Sequence, residues 1–541
     1  MRSMAARAGV VSLFVLAASC NGAGPPAPAG QVAPSGTVSA DAGRLPDAGF
    51  DAVVDASSAR PVDGGASPRP ADAGTADARR VDGGRATADP DPIAPGYPVG
   101  ACEPAPGLRL LAPLSGSTMT TAHPRLEFDS GPAAGVDVQI CQDRACSQVI
   151  WQQTVAGRNV TPPDLPPGYW FWRARATEST AQDVWTSAWV FRVRHRASNY
   201  APLVDTVAER FNDFNGDGCP DAVAEVGGGL SVYFGGSSPL PPQVIVPPDG
   251  SSTITQAVSG SSVDMNGDGF TDFPTLKIEG TEQPFGVMQF GSPSGLLPSS
   301  VQVVLVPEPY PLRIDQTPIG VGDVDGDGYG DVTWFRRYGG LLIHGCAGGV
   351  AAGPWVYLPC DECEPLFTGD LNGDGRADIL YGDSGEGLDI FLGAVSPVST
   401  FLSGYGANLV FDANQDGYAD LIARATDGKS DQQLFFGGPQ GVSAASAAAF
   451  PSSFFVPGDF NGDGYWDSFE PGSGTVTYGI QGPPGALGSD STSSIPANAT
   501  VIDFNGDGYD DLVAAARDAG LLLYAGSPQG LSAEPVTIAA P

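Results

Sequence analysis

The chain has 541 residues, including 74 Gly and 50 Pro, with 42% hydrophobic residues and a formal net charge of −35. That length allows two or three domains, the Gly and Pro content suits a turn-rich all-β protein rather than a helical one, and the acidity excludes nucleic acid as a partner.

At the N-terminus, Arg2 and Arg7 precede the apolar run Val10 to Ala18 and then Cys20. Charge, apolar core and small residues in that order indicate a signal peptide over 1–19. Leu16-Ala17-Ala18-Ser19-Cys20 resembles a bacterial lipoprotein box with Cys20 as the lipidated residue, although Ala17 stands where Leu is commoner. The alternative is ordinary secretion with cleavage near the same place. The expected location is therefore the outer membrane or cell surface as a lipoprotein, or otherwise the medium. No other stretch is long and apolar enough to span a membrane, so membrane contact is expected only through the lipid anchor.

Residues 20–100 are mostly Ala, Asp, Gly and Pro, with D-A-G recurring at Asp41, Asp47 and Asp72 and V-D-G-G at Val62 and Val81. With few aromatic or β-branched residues no core can form, and the segment reads as a disordered tether.

Composition changes over 101–197, which holds five of the eight tryptophans: Trp151, Trp170, Trp172, Trp185 and Trp189. Strand-like runs, among them Val136 to Ile140, Tyr169 to Ala176 and Trp189 to Val193, alternate with turn residues as in an all-β sandwich. The phrase from Leu165 to Ala176, followed by W-T-S-A-W-V-F-R-V, resembles a fibronectin type III-like domain. Its tryptophans are expected in the core; a sugar-binding face is the alternative. The close pairs Cys141/Cys146 and Cys360/Cys363 read as disulfides in an exported chain, while Cys102, Cys219 and Cys346 have no partner legible in the sequence.

Over 200–541 one nine-residue motif recurs seven times at spacings of 42 to 59 residues. Its first, third, fifth and ninth positions are Asp213, Asn215, Asp217 and Asp221; Asp264, Asn266, Asp268 and Asp272; Asp323, Asp325, Asp327 and Asp331; Asp370, Asn372, Asp374 and Asp378; Asp412, Asn414, Asp416 and Asp420; Asp459, Asn461, Asp463 and Asp467; and Asp503, Asn505, Asp507 and Asp511. Position six is always Gly, and position four is Gly except for Gln415. Oxygen ligands on alternate residues of a tight loop suit calcium, which takes six to eight oxygens. The invariant glycine supplies the positive φ that coiling the loop requires. Helix-loop-helix calcium sites end in an acid at position twelve, which only Glu470 provides here, so these are shorter loops followed by strands. A plain Asp/Gly turn explains one copy but not seven identical ones. The expectation is up to seven structural calcium ions.

Each repeat continues through two strand-like runs to an aromatic-Gly step, such as Tyr233-Phe234-Gly235, Phe290-Gly291, Phe391-Leu392-Gly393 or Tyr478-Gly479, looser in the third repeat at Ile343-His344-Gly345. About 48 residues per repeat is the length of one propeller blade. These residues resemble the FG-GAP repeats of the integrin α-subunit propeller and their bacterial, VCBS-type relatives. The resemblance implies a seven-bladed β-propeller over 200–541, calcium in loops between two strands of each blade, and ligand recognition elsewhere, usually on the opposite face. It also implies that position seven lends a backbone carbonyl and leaves its side chain free. The sixth repeat, with Ser468 and Glu470 where apolar residues are usual, is expected to be irregular. The segment Val204 to Phe211 is the candidate to pair with strands after Leu531 and close the ring.

No catalytic constellation emerges. The three histidines, His123, His195 and His344, lie far apart in sequence, and Gly382-Asp383-Ser384-Gly385, which resembles the nucleophile loop of chymotrypsin-like proteases, falls where a hairpin turn is expected. The expected function is an exported, surface-tethered, non-catalytic calcium-binding propeller for adhesion or recognition of an extracellular protein or glycan. The alternative is an exported polysaccharide hydrolase or lyase with an accessory β-sandwich.

Overall fold

The computed structural model describes residues 107–540 except 178–183, 198–201, 227–228, 237–240, 247–261, 278–284, 298–300, 305–317, 337–338, 351–355, 359–363, 384–386, 395–397, 427–431, 444–446, 451–454 and 517–519. The leader, Cys20, the tether, Cys102, Cys360, Cys363 and Ser384 lie outside the described residues. All regular structure among those residues is β-strand, with no helix.

Nine strands precede the first acidic loop: β1 (Arg109–Ala112), β2 (Ser117–Met119), β3 (Leu126–Asp129), β4 (Val136–Cys141), β5 (Val149–Val155), β6 (Asn159–Val160), β7 (Gly168–Ala176), β8 (Trp189–Val193) and β9 (Val207–Arg210). They form two sheets, β1-β3-β6 and β5-β4-β7-β8-β2-β9. Alternation works as expected in β3, where Leu126 and Phe128 are buried while Glu127 and Asp129 are not. Those two residues share a core with Val138, Ile140, Trp172 and Phe191. Trp170, Trp172 and Trp189 are buried, and Trp172 meets Trp189 edge-on at 6.0 Å. These three are core residues; Trp185 instead lies under Arg173 and Arg175 at 4.5 and 4.6 Å. Cys141 and Cys146 are disulfide-bonded, and Cys219 and Cys346, left open by the sequence, are disulfide-bonded as well.

Ring closure through Val204 to Phe211 is overturned. β9 pairs antiparallel with β2, Ser117 opposite Arg210, and completes the six-stranded sheet, while Val536–Ile538 bonds only to Gly520–Tyr524.

Each of the seven motifs then belongs to its own antiparallel sheet, with strands in chain order. Repeat 1 has Ala222–Val226, Gly229–Tyr233 and Gln243–Val246; repeat 2 has Phe273–Lys277, Phe285–Gln289 and Val301–Val304. The other five have four strands each, running from Ile319–Gly322, Glu364–Gly369, Tyr405–Phe411, Val456–Gly458 and Ala499–Ile502. In these five the acidic loop joins the first strand to the second, as in Ala499–Ile502 and Asp511–Ala516. The sixth repeat is not irregular. Asp467–Glu470 sits second in a four-stranded sheet, with Phe469 in the core, Ser468 buried beside it and Glu470 partly exposed.

None of the sheets closes on itself, and their faces are covered by neighbouring repeats. Repeats 1 and 2 share a core around Phe214, Val232 and Phe273; repeats 3 and 4 around Val321, Leu342 and Tyr381; repeats 4 and 5 around Leu371, Leu388 and Phe435. Repeats 5 and 6 meet at Phe411 and Phe455, and repeats 6 and 7 at Phe460, Val476 and Tyr524. Repeats 2 and 3 share the cluster that also reaches the sandwich. Repeat 7 in turn packs on repeat 1: Phe504, Val513 and Leu521 surround Tyr233 and Ala222.

Candidate metal centres

The loops repeat one hydrogen-bond scheme. The position-six N–H donates to the first Asp, as from Gly269 to Asp264 Oδ2 at 2.8 Å and from Gly508 to Asp503 Oδ2 at 2.9 Å. The position-five N–H donates to position three, and the position-seven N–H to position five, as in Asp268 to Asn266 Oδ1 and Phe270 to Asp268 Oδ1. These bonds fold the odd-numbered side chains inward. Position six takes φ between +82° and +100° in all seven copies, the conformation expected for its glycine. Gln415 takes φ +56° at position four, where other copies have Gly; its Nε2 offsets the strain by donating to Gly464 O of the next loop at 2.7 Å.

The first and ninth carboxylates are buried in every repeat, while the fifth lies nearer the surface. Position nine has a second role that spacing alone did not reveal. Asp378 accepts the Leu371 N–H at 2.8 Å and the Gly393 N–H at 2.7 Å. Gly393 is the glycine of the aromatic-Gly step. The same pair of donors reaches Asp221, from Phe214 and Gly235, and Asp467, from Phe460 and Gly479. The two halves of the repeat are thus one device, in which the ninth Asp ties its loop to the end of the strand that precedes the step glycine. The step must be glycine because a Cβ on Gly393 would lie 2.5 Å from Ala377 O and 2.8 Å from Val324 O, and its counterparts face the equivalent position-eight carbonyl in every repeat. Gly393→Ala is expected to cost about 1–3 kcal/mol through overpacking. Gly406→Ala, with nothing within 4 Å of the added methyl, is the control, and urea unfolding of both variants checks the difference.

The side chains at position seven are not idle, contrary to expectation. Phe270 lies on Gly216 of the preceding loop, and Tyr329, Tyr418 and Tyr509 likewise lie on Gly267, Gly373 and Gly462. Backbone bonds run in the same direction, from Thr271 N to Asp213 O, Gly330 N to Asp264 O, Ala377 N to Asp323 O and Ala419 N to Asp370 O. The bond from Gly236 N to Phe504 O joins repeat 1 to repeat 7, at positions equivalent to Ser292 N and Phe214 O between repeats 2 and 1.

Burial disfavours charge on the loop carboxylates. Burial, reinforced by Asp217, pushes Asp213 up to about 7. Burial likewise raises Asp378 and Asp467 to about 8, Asp420 and Asp459 to about 7 and Asp370 to about 6. Asp213 Oδ1, Asp264 Oδ1 and Asp459 Oδ1 are buried with no hydrogen-bond partner. A buried carboxylate oxygen without a partner is costly, and a hard cation drawn to converging oxygens would remove that cost. The donor sets of all seven loops therefore fit calcium.

The loop carbonyls also carry the sandwich. Arg144 donates to Gly216 O and Gly269 O, Trp189 Nε1 to Gly267 O, Arg109 to Asp327 O, Thr206 to Gly417 O and Arg192 to Gly508 O. The most buried link is ionic: Arg192 and Arg194 both reach Asp510, at 2.7 and 3.0 Å, and Arg192 lies 3.3 Å from Asp503. Burial works against charge on Asp510, but the two guanidinium groups hold it below the ordinary carboxylate range. Asp510 is the only acid at position eight in the seven copies, a signal present in the sequence.

Of the histidines, His123 is exposed beside Asp164, His195 faces Gly508 O, and His344 lies against the third loop. They stand in separate places and form no catalytic set. Asp383 pairs with Gly387 in adjacent antiparallel strands, and Ser384 and Gly385 between them lie outside the described residues.

A family profile for the FG-GAP repeat matches residues 496–531, which span the seventh loop, the strand after it and the Tyr524-Ala525-Gly526 step. No curated protein matches the chain.

Proposed function

We propose that this protein is an exported, non-catalytic recognition or adhesion module built on a seven-bladed, calcium-loaded β-propeller, with a fibronectin III-like sandwich at 101–197 and a tether at 20–100 that ends at a lipidated Cys20. The observation that carries the reading is the sevenfold recurrence of one acidic loop with its first and ninth carboxylates buried, three of the first ones keeping an oxygen with no partner. The contacts of repeat 7 with repeat 1 support a closed ring formed by the seven repeat sheets. In this reading positions one, three, five and nine of each loop hold the ion. Calcium neutralises the cage and keeps the two strands it joins in place.

Recognition of a protein or glycan falls to surfaces away from the loops, because sandwich residues already occupy the loop carbonyls. Asp374→Ala tests the metal role. It is expected to lower Tm in millimolar calcium and to change little in chelator, since position five is exposed there. Equal losses in both would assign Asp374 to packing alone. A binding screen of the full chain against surface proteins and glycans, with a parallel search for cleavage products, separates recognition from hydrolase or lyase action.

A further inference from the structure

The third loop departs from the other six at two places that meet in space. Asp325 is the only Asp at position three, and His344 is the only histidine beside an aromatic-Gly-step glycine. The other six loops have Asn at position three, whose Nδ2 donates to the fifth Asp, as from Asn266 to Asp268 and Asn461 to Asp463 at 3.0 Å. Asp325 cannot donate and is free to turn a carboxylate toward His344. His344 Nδ1 lies 3.5 Å from Asp325 Oδ2 and 3.3 Å from Asp331 Oδ1, and one ligand atom from each of these three residues falls within 4.8 Å of the others.

Calcium takes oxygen ligands, whereas imidazole with carboxylates suits zinc-class ions. Zinc binds both donor types at about 2.0–2.2 Å. Two ligands of a tetrahedral ion at that radius stand roughly 3.3–3.5 Å apart, the separations His344 makes with its two carboxylates. Asp325 also belongs to the all-oxygen group Asp323, Asp325 and Asp327, so one carboxylate cannot serve two ions fully.

We infer that the third loop is a mixed nitrogen–oxygen site that takes a zinc-class divalent ion through His344, Asp325 and Asp331, displacing calcium from that loop alone. The inference rests on the calcium reading only for the displaced ion; zinc retention is a separate readout. Among the described residues other nitrogen and sulfur ligands are few, because the three histidines stand in separate places and Cys141, Cys146, Cys219 and Cys346 are in disulfides.

The test is equilibrium dialysis of the full chain against micromolar ZnCl₂ in millimolar calcium, with both metals counted by elemental analysis. The expected result is one zinc per chain, one calcium fewer than without zinc, and loss of the zinc in His344→Phe, which restores the residue class of the other repeats. Asp325→Asn, the residue the other loops use, should weaken zinc at least tenfold. His123→Ala controls for the exposed His123–Asp164 pair and should leave zinc unchanged. No retained zinc, or zinc that survives His344→Phe, overturns the site. Zinc retained without any calcium uptake would instead overturn the calcium reading and leave this site standing.

Discussion

Asp510→Ala is expected to destabilise the protein by about 3–5 kcal/mol, because it leaves two buried guanidinium groups without their shared carboxylate. The side chains of Asp510, Arg192 and Arg194 are 3%, 6% and 9% exposed, so water cannot substitute for the lost partner. The comparison is Asp129→Ala, which removes a half-exposed pair with Arg109 at 3.9 Å and should cost about 0–1 kcal/mol. Arg192→Met combined with Asp510→Ala should cost less than the sum of the two single changes, since the Arg192–Asp510 interaction is then lost once and not twice, although Arg194 still loses its partner. Because the pair joins the sandwich to repeat 7, protease sites near the sandwich should also open in Asp510→Ala. Equal losses at Asp510 and Asp129 would mean that the interface is wet and weak.

The second large effect is the exchange of calcium for chelator at different pH. Carboxylates such as Asp213, Asp378 and Asp467 are pushed up to about 7–8, above the ordinary Asp value near 3.9. Between those values the metal-free folded chain holds more protons than the unfolded chain. Its stability is therefore highest near pH 4 and falls as pH rises through 7 to 8. Under the proposed function, bound calcium holds the charged form and removes that slope. In chelator, Tm should fall by several degrees between pH 5 and pH 8; in millimolar calcium it should stay nearly level. The calcium-induced rise in Tm should accordingly be larger at pH 8 than at pH 5. A rise independent of pH would place calcium elsewhere than on these carboxylates.

Much of the candidate site was legible because it is local. Asp213 to Asp221 encloses its own ligands within nine residues, and the spacing alone places them in a coiled loop. The glycine at position six announced its positive φ, and alternation identified the strands. Contacts between distant residues were not legible. Nothing near Arg192 in the chain points to Asp510, 318 residues away. Nor does Val207–Arg210 advertise that its partner is Ser117–Met119 instead of a C-terminal strand, since short strands carry no record of which edge they join. The link between the ninth Asp and the step glycine lay between these cases. Both residues recur in each repeat at 12 to 19 residues' separation, but only their close approach shows that one holds the other. Position seven was misread for a related reason: its side chain serves the preceding repeat, and a single loop contains no sign of its neighbour.

The central claim is that seven buried carboxylate cages hold calcium in the folded chain. Calorimetric titration of the full chain with calcium at pH 8, after chelator treatment and without zinc, tests it most directly. The account predicts uptake of several ions per chain, up to seven, with dissociation constants of about 10⁻⁴–10⁻³ M as for extracellular modules. A chain that keeps its β-sheet circular dichroism yet takes up no calcium would contradict it.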